Sequence, residues 1–204
     1  MNTLRGRLCL LLTILMLNGC SATDNTARDQ AVENVSAPFA AGAITVQLRA
    51  EPGLNTVNSM PNSCMVLLLQ AKDKTILDKV LSNPGVLKSL FSGAGSEGDL
   101  LQVDRYPMMP GQMNTMHVDR AMNTRSVALV AGYYPFPTKQ HMTTVDIPIE
   151  SYSTGWWSPQ WFASLTPLTL TVTLGSDSII DSGDNAKVPP ADVAISPDSQ
   201  AEGK

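Results

Sequence analysis

The sequence predicts a mainly β domain in which two sheets pack face to face, with a short helical element at one side. Several segments alternate apolar and polar residues with a period of two, which is typical of half-buried strands. Two further segments are apolar at every position, which indicates central strands covered on both faces. A single helical interruption separates the early strands from the later ones. Together these patterns favour a β-sandwich with a helical side element.

Three segments carry the alternation of half-buried strands. Every second residue is apolar over residues 44–50 and 168–174, and Pro167 stands at the start of the second of these. Proline is tolerated at the first residue of a strand. The third segment, residues 145–149, contains Pro148, so we expect it at the edge of a sheet.

The central strands are predicted at residues 66–69 and 127–131. Both runs are apolar on both faces, although periodicity by itself does not distinguish such a run from a buried helix. Residues 101–108 and 113–118 flank Pro110-Gly111, a turn signal, so we predict a hairpin there.

The helical interruption consists of two short helices. The apolar residues of the first fall on one face at a spacing of 3.6, and Ser82-Asn83-Pro84-Gly85 ends it. Asn83 before Pro84 is a good cap for the second helix. The predicted apolar faces are Ile76, Leu77, Val80 and Leu81 in the first helix, and Leu87, Leu90 and Phe91 in the second.

The first twenty residues match a bacterial lipoprotein signal. Arg5 and Arg7 precede an apolar run at residues 8–17, which is shorter than the roughly 20 residues of a membrane span. Leu17-Asn18-Gly19-Cys20 then follows the lipobox pattern, in which the cysteine is acylated and becomes the new N-terminus. The alternative is an ordinary signal peptide with an incidental cysteine. We predict a signal peptide at residues 1–19 and a covalent lipid on Cys20, with no other cofactor.

A lipid anchor defines the compartment of the mature chain. Ser21 follows the cysteine, where an aspartate would favour retention in the inner membrane, so we expect the periplasmic face of the outer membrane. Cleavage removes two of the 14 basic residues and none of the 18 acidic ones, which leaves a net charge of −6. This charge argues against nucleic acid as a partner, because such binding needs a clustered basic surface.

Polar segments flank the predicted domain at both ends. Residues 20–41 are small and polar, so we predict a flexible tether. Residues 176–204 are acidic, and we predict a mostly disordered tail in which Ile179-Ile180 and Val193 can dock locally. The remaining residues, 42–175, suffice for one domain.

Cys64 has no predicted disulfide partner, because Cys9 lies in the signal peptide and Cys20 carries the lipid. It stands next to an apolar run at residues 65–69. We therefore expect a buried thiol and not a reactive one.

The order of these features resembles that of a known family. The lipobox and tether precede an alternating strand, a loop with Leu54-Asn55, an apolar strand ending in Gln70, the helical segment, the turn at Pro110-Gly111 and the strand at residues 127–133. This order is similar to that of the outer-membrane lipoprotein of the type VI secretion membrane complex. The similarity covers residues 42–150 and the lipobox, whereas residues 151–162 are less typical.

The resemblance implies a transthyretin-like β-sandwich without catalytic activity. It also implies a partner, the periplasmic C-terminal part of the large inner-membrane IcmF-like subunit, bound chiefly through the loop between the first two strands. That loop maps to residues 51–63. The residues implied to contact the partner are Glu51, Pro52, Gly53, Leu54, Asn55, Thr56, Val57, Asn58, Ser59 and Met60.

The residues of this loop fit a recognition role. The loop is long for a connection between strands, and long ordered loops are often functional. We expect an apolar centre of Leu54, Val57 and Met60, with hydrogen-bonding asparagines around it at positions 55, 58 and 62. The alternative is a mobile surface loop.

Three tryptophans in the less typical segment have two interpretations. Trp156, Trp157 and Trp161 can plug the open end of the sandwich, with Ser158-Pro159 starting a helical turn. They can also form a second contact with a partner or with the membrane surface. We favour plugging of the core.

Enzymatic motifs are weak in this chain. Residues 93–98 spell GxGxxG, but they follow a helical segment where the dinucleotide fingerprint requires a strand, so we expect a flexible loop. The sequence contains no GxSxG nucleophile elbow, and we expect His117 and His141 to be surface residues. We predict that the protein is not an enzyme.

The main alternative function is the carriage of copper or of a small ligand. Met108, Met109, Met113 and Met116 lie near His117, and soft thioethers suit Cu(I). On a strand, however, Met113 and Met116 point to opposite faces, and ten methionines in the chain indicate packing filler. For these reasons we predict no metal site. A small-ligand carrier, the other alternative, would require a deep apolar pocket between the sheets.

Overall fold

The computed structural model describes residues 20–93 and 98–185. The predicted signal peptide and residues 186–204 of the predicted acidic tail lie outside this part of the chain. The helices are α1 (Cys20–Glu33), α2 (Lys74–Leu81) and α3 (Pro84–Ser92), and Lys139–His141 forms a 3-10 turn. The strands are β1 (Ala40–Ala50), β2 (Cys64–Ala71), β3 (Gln102–Met108), β4 (Met113–Arg120), β5 (Ser126–Ala131), β6 (Met142–Asp146), β7 (Ile149–Thr154), β8 (Gln160–Leu165), β9 (Leu168–Leu174) and β10 (Ile179–Asp184).

Two four-stranded sheets form the β-sandwich. The first has the order β10-β9-β1-β4, in which β1 runs parallel to β9 and antiparallel to β4, with Val46 opposite both Leu170 and Met116. The second has the order β3-β2-β5-β6 and is antiparallel throughout, with Leu68 opposite Leu129. The predicted two-sheet β-sandwich is confirmed.

The alternating residues of the first sheet build the core between the sheets. On β1 and β9 every second side chain is buried, and those between them are half-buried or exposed. The apolar face of each strand thus packs on the second sheet, as the period of two predicts. The buried members from these two strands are Ile44, Val46, Leu48, Ala50, Leu168, Leu170, Val172 and Leu174.

The second sheet is covered on both faces, as predicted for its central strands. Val66 and Leu68 of β2 pack into the core between the sheets, whereas Leu67 and Leu69 belong to a second apolar cluster with α2 and α3. β5 divides its side chains in the same way. The two continuous apolar runs therefore serve two cores at once.

Helices α2 and α3 are bounded by capping residues. Asp73 accepts a hydrogen bond from the Ile76 amide at 3.0 Å, and Asn83 accepts from the amides of Gly85 and Val86 at 3.0 and 3.2 Å. Helix α3 ends at Gly93, whose φ of 72° is the left-handed conformation of a C-terminal cap. Leu77, Leu87 and Leu90 are the buried residues of the helical faces, as predicted.

The predicted hairpin at residues 101–108 and 113–118 is wrong. β3 and β4 form, but β3 pairs with β2 and β4 pairs with β1, so the turn at Pro110-Gly111 carries the chain from one sheet to the other. A turn signal shows only that the chain reverses, and pairing depends on where each strand buries its apolar side chains. Met108 and Val118 both point into the core between the sheets.

The segments predicted as tether and tail contain regular structure. Residues 20–33 have no glycine or proline and form α1, and the first strand begins at Ala40. After the predicted domain end, β10 pairs with β9 and its Ile179 packs against the core. Pairing of this strand covers an edge of β9 that would otherwise expose unpaired backbone groups. The strand predicted at residues 145–149 ends at Asp146, before Pro148, and β6 is an edge strand as expected.

The described chain divides into two compact units. The larger holds residues 36–149 and 165–185, and the smaller holds α1 with residues 150–164 of the β7–β8 hairpin. In the smaller unit the Arg28 side chain donates a hydrogen bond to the Ser151 hydroxyl at 3.0 Å, and its guanidinium lies 5.6 Å from the centre of the Trp161 ring. Among the described residues, no helix is both long and apolar enough to span a membrane.

Candidate partner-binding loop

The loop at residues 51–63 connects β1 of one sheet to β2 of the other. Three other connections meet it at this end of the sandwich. The Gly111 amide donates to the Glu51 carbonyl at 3.1 Å, the Thr56 amide donates to the Ser176 carbonyl at 2.8 Å, and the Tyr134 amide donates to the Asn55 side chain at 2.9 Å. The loop is therefore held by the turns that follow β3, β9 and β5.

Leu54 and Asn55 form the base of the loop and are buried. Leu54 is fully buried in the core between the sheets, and Asn55 is 8% exposed. The expectation that Leu54 belongs to an exposed apolar centre is wrong, because its side chain completes the core. Both residues position the loop and present little surface of their own.

Asn55 connects the loop base to two neighbours. Its amide nitrogen donates to the Ser63 carbonyl at 2.9 Å, and its oxygen accepts from the Tyr134 amide. Its φ of 46° lies in the left-handed region, which asparagine tolerates better than most residues. The Asn62 side chain adds a bond to the Met60 carbonyl at 2.8 Å. Two of the three asparagines thus organise the loop internally.

The loop tip is a tight two-residue turn. Val57 and Met60 exchange backbone hydrogen bonds of 2.9 and 3.0 Å, and Asn58 and Ser59 between them have φ values of 50° and 63°. Two successive positive φ values define a type I′ turn. Asn58, Ser59 and Met60 are exposed, and the Met60 side chain retains 64% of its accessible surface. A partner can reach this tip, and within the implied contact set Glu51, Pro52 and Thr56 are exposed as well.

Tyr134 and Met109 extend the exposed apolar surface at this end. Their exposures are 68% and 56%, and both stand on connections that belong to the same end of the sandwich. Sequence reasoning did not single out Tyr134 as a contact residue. Its neighbours at residues 127–133 were recognised, but the pattern did not show that this strand ends beside the loop.

Tyr133 and His141 hold the turn at residues 175–178, which is bonded to the loop, through side-chain hydrogen bonds. The Tyr133 hydroxyl lies 2.8 Å from the Ser178 carbonyl and 3.1 Å from that of Gly175, and its ring centre lies 4.7 Å from that of His141. His141 accepts from the Thr138 amide at Nδ1 and donates from Nε2 to the Asp177 carbonyl, both at 2.8 Å.

The prediction that His141 is a surface residue is therefore wrong. Its imidazole is 4% exposed and connects the start of β6 to the turn before β10. The residues next to His141 in the sequence gave no signal of this distant partner. His117 is exposed, as predicted.

Burial shifts the ionisation of two groups near this end. It raises the pKa of the Cys64 thiol from 9.0 to about 12, and a hydrogen bond with the Gly132 backbone partly offsets this rise. Burial is also the main cause that raises the pKa of Tyr133, with further contributions from Cys64, Asp177 and Glu51. Cys64 is 1% exposed, which confirms the predicted buried thiol.

The methionines considered for copper are scattered. Met108 is fully buried in the core, whereas Met109 and Met113 are exposed, the latter to 72%. Met116 packs against the core, and the adjacent His117 points to the opposite face of β4. Among residues 20–93 and 98–185, no three His, Cys, Asp or Glu side chains are grouped to hold a metal ion.

The favoured interpretation of the tryptophans is wrong. Trp156 and Trp157 are 87% and 91% exposed and occupy the turn of the β7–β8 hairpin, so they do not plug the core. Ser158-Pro159 leads into β8 and not into a helical turn. Trp161 is half-buried beside Arg28.

Of the GxGxxG segment, residues 94–97 lie outside the described part of the chain.

Fold and loop define a class of protein, a small β-sandwich domain that presents an ordered loop at one end. Within that class, the chain belongs to the type VI secretion lipoprotein family. The family model described as "Type VI secretion lipoprotein, VasD, EvfM, TssJ, VC_A0113" matches residues 42–177. The predicted resemblance is thereby confirmed, and its range includes β7, β8 and β9.

The solved structures to which this chain is similar are distant from it in sequence. The T6SS lipoprotein TssJ1 from Pseudomonas aeruginosa is 19% identical, with a TM-score of 0.48, over 76% of this chain and 98% of that chain. Serratia marcescens Lip, a membrane-bound component of the type VI secretion system, is 16% identical, with a TM-score of 0.48, over 67% and 94%. A chain described as the T6SS protein TssM C-terminal domain from EAEC is 14% identical, with a TM-score of 0.45, over 67% and 94%. A comparison with curated proteins finds no match.

Proposed function

We propose that this lipoprotein is held at the periplasmic face of the outer membrane by lipid on Cys20 and binds the periplasmic C-terminal part of an inner-membrane IcmF-like subunit. Its loop at residues 51–63 makes the principal contact. The role is structural: the bound subunit is embedded in the inner membrane, opposite the lipid anchor. The chain connects the two membranes within the secretion complex.

The observation that carries the proposal is an exposed tip on a fixed base. Leu54 and Asn55 are buried and hydrogen-bonded, whereas Asn58, Ser59 and Met60 project from a type I′ turn. A loop already ordered in the free protein loses less conformational entropy when it binds. The arrangement supports recognition by the tip and not by the base.

The contact surface has an apolar centre and a polar surround. Met60 and Tyr134 supply exposed apolar area, and Asn58 and Ser59 supply hydrogen-bonding groups beside it. Interfaces are commonly arranged in this way, with methionine and tyrosine enriched at their centres. We therefore place Tyr134 in the contact set together with the loop tip.

The test measures binding of the partner's periplasmic domain by variants of the exposed tip. Met60→Asp should weaken binding by about tenfold or more, because a charge is buried at an apolar contact. Met122→Asp is the matched control, since Met122 is 62% exposed and follows β4 at the other end of the sandwich. The thermal unfolding midpoint of both variants should equal that of the unmodified chain.

Substitutions of the base cannot test the contact. Leu54→Asp would disrupt the core, so lost binding would report unfolding. If Met60→Asp and Tyr134→Asp both bind as tightly as Met122→Asp does, the loop is not the interface.

The anchor is tested separately. Mass spectrometry of the protein from membranes should show acyl chains on Cys20, and Cys20→Ser should release the chain into the soluble periplasm. Ser21→Asp should move the acylated protein to the inner membrane. Acylated protein that remains in the inner membrane without this change would refute the outer-membrane assignment.

A further inference from the structure

The turn of the β7–β8 hairpin exposes two adjacent indoles. Trp156 and Trp157 are 87% and 91% exposed, and their ring centres lie 6.0 Å apart with the planes tilted by 48°. Gly155, with a φ of 94°, allows the chain to turn there, since a Cβ at that position would lie 3.0 Å from the Ser158 carbonyl oxygen. Two large apolar groups held in water on a built turn require an explanation other than packing.

Beyond Glu150 at its base, the hairpin is uncharged. Residues 151–165 contain no acidic or basic side chain. Tyr152 and Phe162 stack on one face, 5.5 Å between ring centres, and are 53% and 38% exposed. Trp and Tyr are the side chains enriched where proteins meet lipid headgroups.

The same compact unit contains the helix that begins at Cys20. Arg28 of α1 is bonded to Ser151 and lies over the Trp161 ring, so the helix is attached to the hairpin at this point. Eight residues separate Cys20 from Arg28, about 12 Å along a helix. Five residues of turn and strand separate Trp156 from Trp161, at most roughly 16 Å of chain. Short stretches of chain therefore connect both the Cys20 end of α1 and the tryptophan turn to this point of attachment.

We propose that Trp156 and Trp157 insert into the headgroup region of the membrane that holds the anchor, as a second and non-covalent membrane contact. The proposal rests on the lipid at Cys20 for the choice of a lipid surface as the occupant. The hairpin then gives the smaller unit a second attachment to the membrane, in addition to the acyl chains. Arg28 acts as the positioning residue between α1 and the hairpin.

The first test reads the environment of the indoles directly. The acylated full chain is reconstituted in vesicles of phosphatidylethanolamine and phosphatidylglycerol, with or without bromine on the acyl chains. Bromine quenches the fluorescence of indoles close to it. Trp161→Phe, which retains the pair, should be quenched in brominated vesicles. Trp156→Phe with Trp157→Phe, which retains only Trp161, should be quenched far less.

Two results would overturn the proposal. Equal fluorescence of Trp161→Phe in brominated and plain vesicles would place the pair in water. Accessibility to iodide in vesicles that disappears only when the partner's periplasmic domain is added would make the pair a protein interface.

The second test separates the tryptophans from the anchor. Cys20→Ser removes acylation, and the chain should still partition weakly into the same vesicles. Adding Trp156→Ser and Trp157→Ser should reduce this partition by about tenfold or more, since two indoles of roughly 200 Å² each lose their apolar contact. Phe39→Ser with Met122→Ser, residues 57% and 62% exposed in the larger unit, is the matched control and should leave partition unchanged.

The outcomes distinguish this proposal from the proposed function. Absence of acyl chains on Cys20 would remove the anchor, and the partition of the Cys20→Ser chains would still decide whether the tryptophans bind lipid. Loss of partner binding by Met60→Asp has no bearing on quenching. Identical partition with and without the tryptophans would overturn the second membrane contact while the loop contact remains.

Discussion

Gln70 shows how one buried polar residue joins distant parts of the sandwich. Its side chain is fully buried on β2. The amide oxygen accepts from the Ala121 amide at 2.9 Å and from the Thr124 hydroxyl at 3.0 Å, and the amide nitrogen donates to the Asp119 carbonyl at 2.9 Å. A central strand of the second sheet is thus bonded to the connection between β4 and β5.

Replacing Gln70 by leucine should lower the free energy of unfolding by about 2 kcal/mol, because three polar groups, among them the buried Thr124 hydroxyl, lose their partner. Gln47→Leu, at an exposed position of β1, should change it by less than about 0.5 kcal/mol. Urea denaturation of the two variants measures the difference. Equal free energies of unfolding for the two variants would show that water takes over the hydrogen bonds of the Gln70 side chain.

Cys64 makes the stability of the domain sensitive to alkaline pH. Its pKa is 9.0 in an ordinary environment and about 12 when buried in the fold. The folded chain therefore keeps the proton over a range in which the unfolded chain loses it. Stabilisation is complete below pH 9 and is lost progressively as the pH rises toward 12. The raised pKa of Tyr133 acts in the same direction.

The free energy of unfolding should fall above about pH 9, by up to about 1.4 kcal/mol per pH unit for the thiol. In Cys64→Ala the free energy of unfolding should fall less steeply with pH, because the contribution of one titrating group is removed. Denaturation at a series of pH values measures this slope. A curve for Cys64→Ala as steep as that of the unmodified chain would assign the fall to other groups.

At the scale of elements, Gly132 sets how closely α3 and β2 approach the end of β5. A Cβ on this residue would lie 2.8 Å from the Phe91 ring and 2.9 Å from the Met65 carbonyl oxygen. The Gly132 amide donates to that same carbonyl at 2.8 Å. The glycine is needed because backbone passes close to backbone, where a side chain has no room.

Gly132→Ala should destabilise the domain by about 1–3 kcal/mol, since either the helix or the strand must move. Gly183→Ala in β10 is the matched control, because nothing lies within 4 Å of its added Cβ. Thermal unfolding of both variants provides the measurement. An unchanged unfolding midpoint for Gly132→Ala would mean that the Phe91 ring and the strand adjust without cost.

At the scale of the whole molecule, the larger unit contains the principal core, and the β7–β8 hairpin lies outside it. The ends of the hairpin are close together, since the Thr166 amide donates to the Pro148 carbonyl at 2.9 Å. The apolar clusters between the sheets and under the helices contain no residue of 150–164. The cores of the larger unit therefore do not depend on residues 150–164.

Replacing residues 150–164 by a short Gly-Ser linker should change the free energy of unfolding by less than about 1 kcal/mol, because the closure of a short loop costs little. Denaturation in urea measures this, and partner binding through the loop tip should also persist. A large loss of stability would show that the hairpin contributes to the core after all.

Local pattern predicted the elements that periodicity and capping residues define. The alternation at residues 44–50 and 168–174, the double-faced runs at residues 66–69 and 127–131, and the Asn83 cap all appear where expected. Each of these depends on neighbours within a few residues. The buried state of Cys64 followed from the same local pattern.

Pairing and burial at a distance were not predictable in the same way. The turn at Pro110-Gly111 was recognised, but not that β3 and β4 join different sheets. His141 was not expected to be buried because its partners, Tyr133 and Asp177, are brought to it by the fold. Trp156 and Trp157 were expected inside, since aromatic character alone does not indicate on which side of a turn a residue lies.

The sequence by itself determined the class of fold and the family, because these depend on periodicity and on the order of short motifs. Only the tertiary structure decided which loop residues are reachable. Leu54 and Asn55 became the base because the core and Tyr134 lie beneath them, and Met60 became the tip because a type I′ turn projects it. Exposure is a property of what surrounds a residue in space, and chain neighbours record it only in part.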